Sequence, residues 1–152
     1  MYRSILAGSF CLLLALGLAA CNDDDQERFE ATLAASNEVP PNPSAATGSA
    51  TFTVEGTTIT FELRVNGMNA VTMAHIHSAA AGANGPIRVP LFTGPTTAAV
   101  NGTLATGTIT PADVQGITFD VLLTEMRTGT AYVNVHTTAL PPGEIRGQVQ
   151  LR

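Results

Sequence analysis

The sequence predicts an all-β fold, a single antiparallel β-sandwich of about eight strands with one short helix. Threonine, glycine, alanine and valine are abundant, and this composition suits strands joined by tight turns better than a helical bundle. Short runs that alternate apolar and polar residues recur along the chain, with glycine or proline between them. Frequent turn signals between short strands are typical of a single sandwich or barrel, of which the sandwich is expected here.

The first half of the chain predicts three strands from its alternation and its breaks. Residues 29–35 form the first, and the proline-rich segment 37–44 that follows cannot join a sheet interior. Gly56 separates two further runs, 47–55 and 57–66, which predict a hairpin. The second of these runs has an apolar residue at every other position, at Ile59, Phe61, Leu63 and Val65. This run is the clearest half-buried strand of the chain.

The second half predicts the remaining strands and the helix. The strands are expected at residues 71–78, 87–92, 100–109, 130–137 and 144–151. Residues 120–127 lie between the runs 100–109 and 130–137, and an apolar stripe there predicts a short helix. The stripe consists of Val121, Leu122, Leu123 and Met126. Gly129 suits the end of this helix, because glycine readily adopts the backbone conformation that follows a helix C-terminus.

The N-terminal segment predicts export. Arg3 gives a short positive start, and residues 5–20 are apolar or small apart from Ser9, in a run too short for a convincing spanning helix. Leu-Ala-Ala-Cys, ending at Cys21, resembles a bacterial lipobox, in which the cysteine becomes the lipidated first residue. We therefore expect a lipoprotein signal peptide at 1–20, a lipidated tether at 21–27 and one domain at 28–152. An ordinary signal peptide with an incidental cysteine is the alternative.

This interpretation predicts the compartment and the partners. The protein is expected in the bacterial cell envelope, attached to the membrane through the lipid on Cys21. Asn22 follows the cysteine, and by resemblance to sorting rules this favours the outer membrane in a Gram-negative cell. Twelve acidic residues outnumber seven basic ones, so the net charge of −5 and the lack of a basic patch argue against nucleic-acid binding. Another protein of the cell envelope is a possible partner, and the sequence does not identify it.

Three histidines are the only residues from which a chemical site can be argued, namely His75, His77 and His136. His75 and His77 are two apart, so on a strand they project from one face, roughly 7 Å apart. Imidazole is a good ligand for copper and zinc, and the domain has no cysteine to compete for them. If the strand of His136 is a neighbour, three imidazoles converge on one metal. The alternative is structural, with histidines that face solvent or bond to the backbone.

Several neighbours could support such a site. Tyr132 and Asn134 share the face of His136, and Asn134 is a candidate hydrogen-bond partner of a histidine. Glu144 and Arg146 share a face of the last strand, where an ion pair that pins the sheet or a carboxylate that supports a histidine is expected. Methionine offers a soft ligand for copper, but isolated methionines such as Met68 and Met73 are more often core filler.

Four motifs in order resemble the CHRD domain, a family named after chordin that occurs in bacterial exported proteins as well as animal ones. They are residues 74–77 (AHIH), 82–86 (GANGP), 132–137 (YVNVHT) and 142–149 (PGEIRGQV). The resemblance covers nearly all of residues 28–152. It implies the fold unit rather than a function, because the growth-factor antagonism of the animal proteins does not carry over to a bacterial lipoprotein.

A looser similarity links His75-Ile76-His77 to the copper-ligand strand of copper/zinc superoxide dismutase, so the sandwich is expected to be immunoglobulin-like or superoxide-dismutase-like. Three histidines are too few for the two-metal cluster of that enzyme, which argues against dismutase activity. The first hypothesis is a site for copper or zinc, and the second is a non-catalytic surface interaction module with structural histidines. The sequence favours a protein without enzymatic activity. If the protein is an enzyme, we expect copper-dependent redox chemistry.

Overall fold

The structure, a computed structural model, describes residues 26–152. The expected signal peptide, Cys21 and the tether up to residue 25 lie outside the described residues. The described part contains nine strands and one α-helix. The strands are β1 Arg28–Ala34, β2 Thr47–Glu55, β3 Thr58–Met68, β4 Val71–Ser78, β5 Ile87–Thr93, β6 Val100–Ile109, β7 Ala131–Thr137, β8 Ile145–Gln148 and β9 Gln150–Leu151, and helix α1 is Phe119–Arg127.

All nine strands belong to one antiparallel sheet. Its order is β5-β4-β7-β8-β1-β2-β3-β6, and β9 also pairs with β1. The two end strands, β5 and β6, lie close to each other, so the sheet nearly closes on itself. The hairpin of β2 and β3 is in register from Thr47 opposite Asn66 to Glu55 opposite Thr58. The predicted all-β antiparallel fold with one short helix is confirmed, and the strands share one continuous sheet.

Most predicted bounds differ from the structure by one or two residues, and two of the differences have a physical cause in the structure. The last run is divided at Val149, whose buried side chain enters the core while its N–H donates to the carbonyl of Ala131. The helix begins one residue early because the Thr118 hydroxyl accepts a hydrogen bond from the N–H of Val121 and caps it. Phe119 therefore faces the core, whereas Val121 is exposed.

The apolar core lies inside the curved sheet. Alternate residues of each central strand point into it, as with Leu63 on β3 and Ile76 on β4, both fully buried. Helix α1 adds Leu122 and Met126 to the same cluster. Among the described residues, no helix combines the length and the apolar character needed to cross a bilayer.

The opposite face of β4, β7 and β8 carries polar residues that are buried as well. We call this set the polar layer; it consists of His75, His77, Tyr132, Asn134, His136 and Arg146. The register aligns His75 with Asn134 and His77 with Tyr132 across β4 and β7, and Asn134 with Arg146 across β7 and β8. Three loops bond to these side chains, through Glu38, Gly85 and Pro141. The polar layer is therefore enclosed between the sheet and these loops.

Candidate metal centre

The three histidines converge. Strands β4 and β7 are hydrogen-bonded neighbours, which brings His136 beside the pair on β4. One ring nitrogen from each histidine lies within 4.8 Å of the others, and Nδ1 of His75 is 3.4 Å from Nε2 of His136. The three residues are 7–8% exposed, so the expectation that they face solvent is wrong, whereas the backbone bonds expected as part of the same alternative are present at His77 and His136. We call the three residues the histidine cluster.

Backbone carbonyls orient two of the three rings. Nδ1 of His77 is 3.0 Å from the carbonyl oxygen of Gly85, and Nδ1 of His136 is 2.8 Å from that of Pro141. Because a carbonyl only accepts hydrogen bonds, Nδ1 carries the proton on both rings. In the neutral rings each Nε2 therefore carries a lone pair, and that of His136 faces Nδ1 of His75 at 3.4 Å. Nε2 of His77 is buried and has no hydrogen-bond partner among the described residues.

Burial keeps the cluster neutral. The pKa of His75 is lowered from 6.5 to about 4, mainly by burial and in smaller part by His136 and His77, because adjacent positive charges repel. Burial also lowers the pKa values of His77 and His136, although the carbonyls that accept from them oppose this effect. Metal ions bind only the unprotonated nitrogen, so the cluster is in its ligating form at neutral pH.

A stack of rings supports His77 from the side. The Tyr132 ring lies 4.9 Å from the His77 ring at an interplanar angle of 10°, and the Arg146 guanidinium lies 4.3 Å from the Tyr132 centroid. The N–H of Gly85 donates to the Tyr132 hydroxyl, so one residue holds both stacked rings. A Cβ at Gly85 would collide with the carbonyl of Ser78, which explains why glycine occupies this position.

Arg146 is fixed by a buried ion pair. Its guanidinium lies 3.1 Å from the carboxylate of Glu38, and both side chains are almost fully buried. It also donates to the carbonyl of Ala83 and to Oδ1 of Asn84. Asn134 donates to the other oxygen of Glu38 at 2.6 Å. Burial raises the pKa of Glu38, while Arg146 and Asn134 offset part of this shift.

The ion pair expected between Glu144 and Arg146 is wrong, because Glu144 has other partners. Its two carboxylate oxygens accept from the hydroxyls of Ser44 and Thr137, each at 2.7 Å. Glu38, which no sequence pattern indicated, is the carboxylate partner of Arg146 instead. It lies 108 residues from Arg146 in a proline-rich loop, and no local pattern marks it. Gly85 and Pro141 act through main-chain carbonyls, which any residue type supplies.

The fold and the cluster together define the class: an all-β domain whose single antiparallel sheet carries three buried, neutral histidines under a set of loops. Residues 29–149 match the family model of the CHRD domain. The chain belongs to the CHRD domain family, as the motifs around the histidines indicated. No curated protein matches this sequence.

Proposed function

We propose that this protein binds a transition metal, copper or zinc, through Nε2 of His77, Nε2 of His136 and a ring nitrogen of His75. The main support for this proposal is Nε2 of His77, which is buried without a hydrogen-bond partner among the described residues. A buried polar atom without a partner costs about 1–3 kcal/mol, and proteins keep such atoms mainly where something binds them. A metal ion would satisfy it and would replace the weak contact between His75 and His136 with two strong bonds.

Carbonyl-anchored imidazoles are the usual form of histidine ligands. A second hydrogen bond from the far nitrogen fixes the ring orientation and leaves the near nitrogen free for the metal. Two of the three rings in the cluster have this arrangement. Three nitrogen ligands also leave a coordination position open. The structural role of the histidines is the competing interpretation.

The test separates these two roles with asparagine variants. His77→Asn and His136→Asn each keep an N–H donor near the position of Nδ1 and remove the Nε2 lone pair. We expect the purified wild-type protein to bind one equivalent of copper or zinc in a titration, and each variant to lose at least about a hundredfold in affinity. Arg64→Ala, an exposed change on distant β3, is the matched control and should bind as wild type does.

Two outcomes would overturn the proposal. One is the lack of stoichiometric binding by the wild-type protein. The other is binding that is indifferent to both asparagine variants, since the metal would then be held elsewhere.

We further propose that the protein is a lipoprotein of the bacterial cell envelope, in the outer membrane if the cell is Gram-negative. The support is the sequence Leu18-Ala19-Ala20-Cys21 at the end of an apolar segment. Growth with labelled palmitate should label the wild-type protein and leave Cys21→Ser unlabelled. Equal labelling of both would exclude lipidation at Cys21.

A further inference from the structure

We propose that Met73 is a fourth ligand of the histidine cluster and that its thioether makes the site selective for copper(I). This inference rests on the proposed metal binding and names the ion and its oxidation state.

Backbone geometry places Met73 on the face of the histidines. It precedes His75 by two residues on β4, and its neighbour Ala74 is fully buried in the core on the opposite face. Met73 also lies directly opposite His136 in the register of β4 and β7. Residues paired in this way have Cβ atoms about 4.5–5.5 Å apart. A methionine side chain has three rotatable bonds, so its sulfur can reach an ion held by His136.

Exposure separates Met73 from the methionines of the core. Met68 and Met126 are fully buried and fill the interior, whereas Met73 is 42% exposed. Core packing therefore does not account for a large apolar side chain at this position. Met73 is the large apolar residue that continues the row of His75 and His77 along β4.

The charge balance of the site favours a monovalent ion. In the part of the chain that the structure describes, the converging ligand atoms come from three histidines and include no carboxylate. Three imidazoles and a thioether are all neutral, so the full charge of the ion stays in a poorly hydrated site. Burying a divalent ion this way costs more than burying a monovalent one. The nearby Glu38 is committed to Arg146 and Asn134 and does not offset the charge.

Softness points to the same ion. Thioether sulfur prefers copper(I), while imidazole accepts copper and zinc alike. Removing the sulfur should therefore weaken copper(I) binding and leave zinc binding nearly unchanged. This difference separates a ligand from a residue that merely shields the site, because loss of a shield would affect both ions.

The experiment compares Met73→Leu with wild type for both ions. Copper(I) affinity is measured anaerobically by competition with a chromogenic chelator, and zinc affinity by a parallel competition. We expect Met73→Leu to weaken copper(I) binding by about tenfold or more and zinc binding by less than about twofold. Met68→Leu, a volume-conserving change in the core, is the control and should alter neither. X-ray absorption should show a copper–sulfur bond in the wild type that Met73→Leu lacks.

Unchanged copper(I) affinity in Met73→Leu, or an equal loss for both ions, would overturn the role of Met73 while leaving the histidine site intact. A wild-type protein that binds neither ion would overturn the histidine site itself, and this inference with it.

Discussion

Replacement of Gly143 by alanine tests whether the buried network behind the histidine cluster is as tightly packed as the structure indicates. Gly143 has φ of +143°, and a Cβ there would lie 2.6 Å from Nδ2 of Asn134 and 2.7 Å from Oε1 of Glu38. These two atoms form the 2.6 Å hydrogen bond that fixes both residues. The added methyl group therefore cannot be accommodated unless this bond is displaced.

The loss of stability expected for Gly143→Ala has two parts. A side chain at this φ costs about 1–3 kcal/mol of backbone strain. Loss of a buried hydrogen bond to a charged group costs about 1.5–3 kcal/mol more. We therefore expect Gly143→Ala to lower the free energy of unfolding by roughly 3–5 kcal/mol, a large share of the 5–15 kcal/mol of an ordinary domain.

Gly102→Ala is the matched control. Gly102 has a similar φ of +130°, but a Cβ there meets no atom within 4 Å, so this variant carries only the strain. Urea denaturation of both variants without metal isolates the difference, which should be about 1.5–3 kcal/mol. If Gly143→Ala is no more destabilising than Gly102→Ala, the side chains around Gly143 are not tightly packed and the network has room for a methyl group.

Three further predictions concern the polar layer. The metal-free protein should lose stability as the pH falls from about 6.5 towards 4, because the histidines bind protons in this range in the unfolded chain but not in the folded one. His75 alone should lower the free energy of unfolding by up to about 3 kcal/mol over this range. A urea midpoint that is constant over this range would contradict the prediction. In a titration with copper or zinc, Tyr132→Leu should weaken metal binding by about tenfold because it removes the ring stacked on His77, whereas Tyr132→Phe keeps the ring and should bind as wild type does. Equal effects of the two variants would contradict a role for the stacked ring. Arg146→Ala should lower the free energy of unfolding, measured by urea denaturation, by about 3–5 kcal/mol because it leaves Glu38 buried without its cation. A loss as small as that of the exposed Arg64→Ala would argue against a buried ion pair.

The strands could be predicted because their signal is local. The bounds predicted for residues 47–55 and 100–109 are those of the structure, since Gly56 follows the first run and Pro111 comes two residues after the second. The helix start was misplaced by one residue because the Thr118 cap competes with the apolar pattern. The division at Val149 depends on contacts with Ala131 from another strand, so the sequence of the last run alone does not contain it.

The candidate site was predictable only in part. Its three histidines stood out by residue type, and two of them by spacing. The sequence favours Glu144 as the partner of Arg146 because it is near along the chain, whereas the structure pairs Arg146 with Glu38, which is near in space. The carbonyls that orient the rings could not be predicted from the sequence, because they belong to the main chain and do not depend on the side chains of Gly85 and Pro141.

The sequence by itself determined that His75 and His77 share a face, because the two-residue period of a strand is a property of the local backbone. It also determined the all-β class and the family. Only the tertiary structure decided that His136, 61 residues from His75, lies beside it, because strand pairing depends on how the whole sheet closes over its core. The same closure brings loops over the polar face, and this burial makes the three histidines a buried, neutral cluster rather than surface side chains.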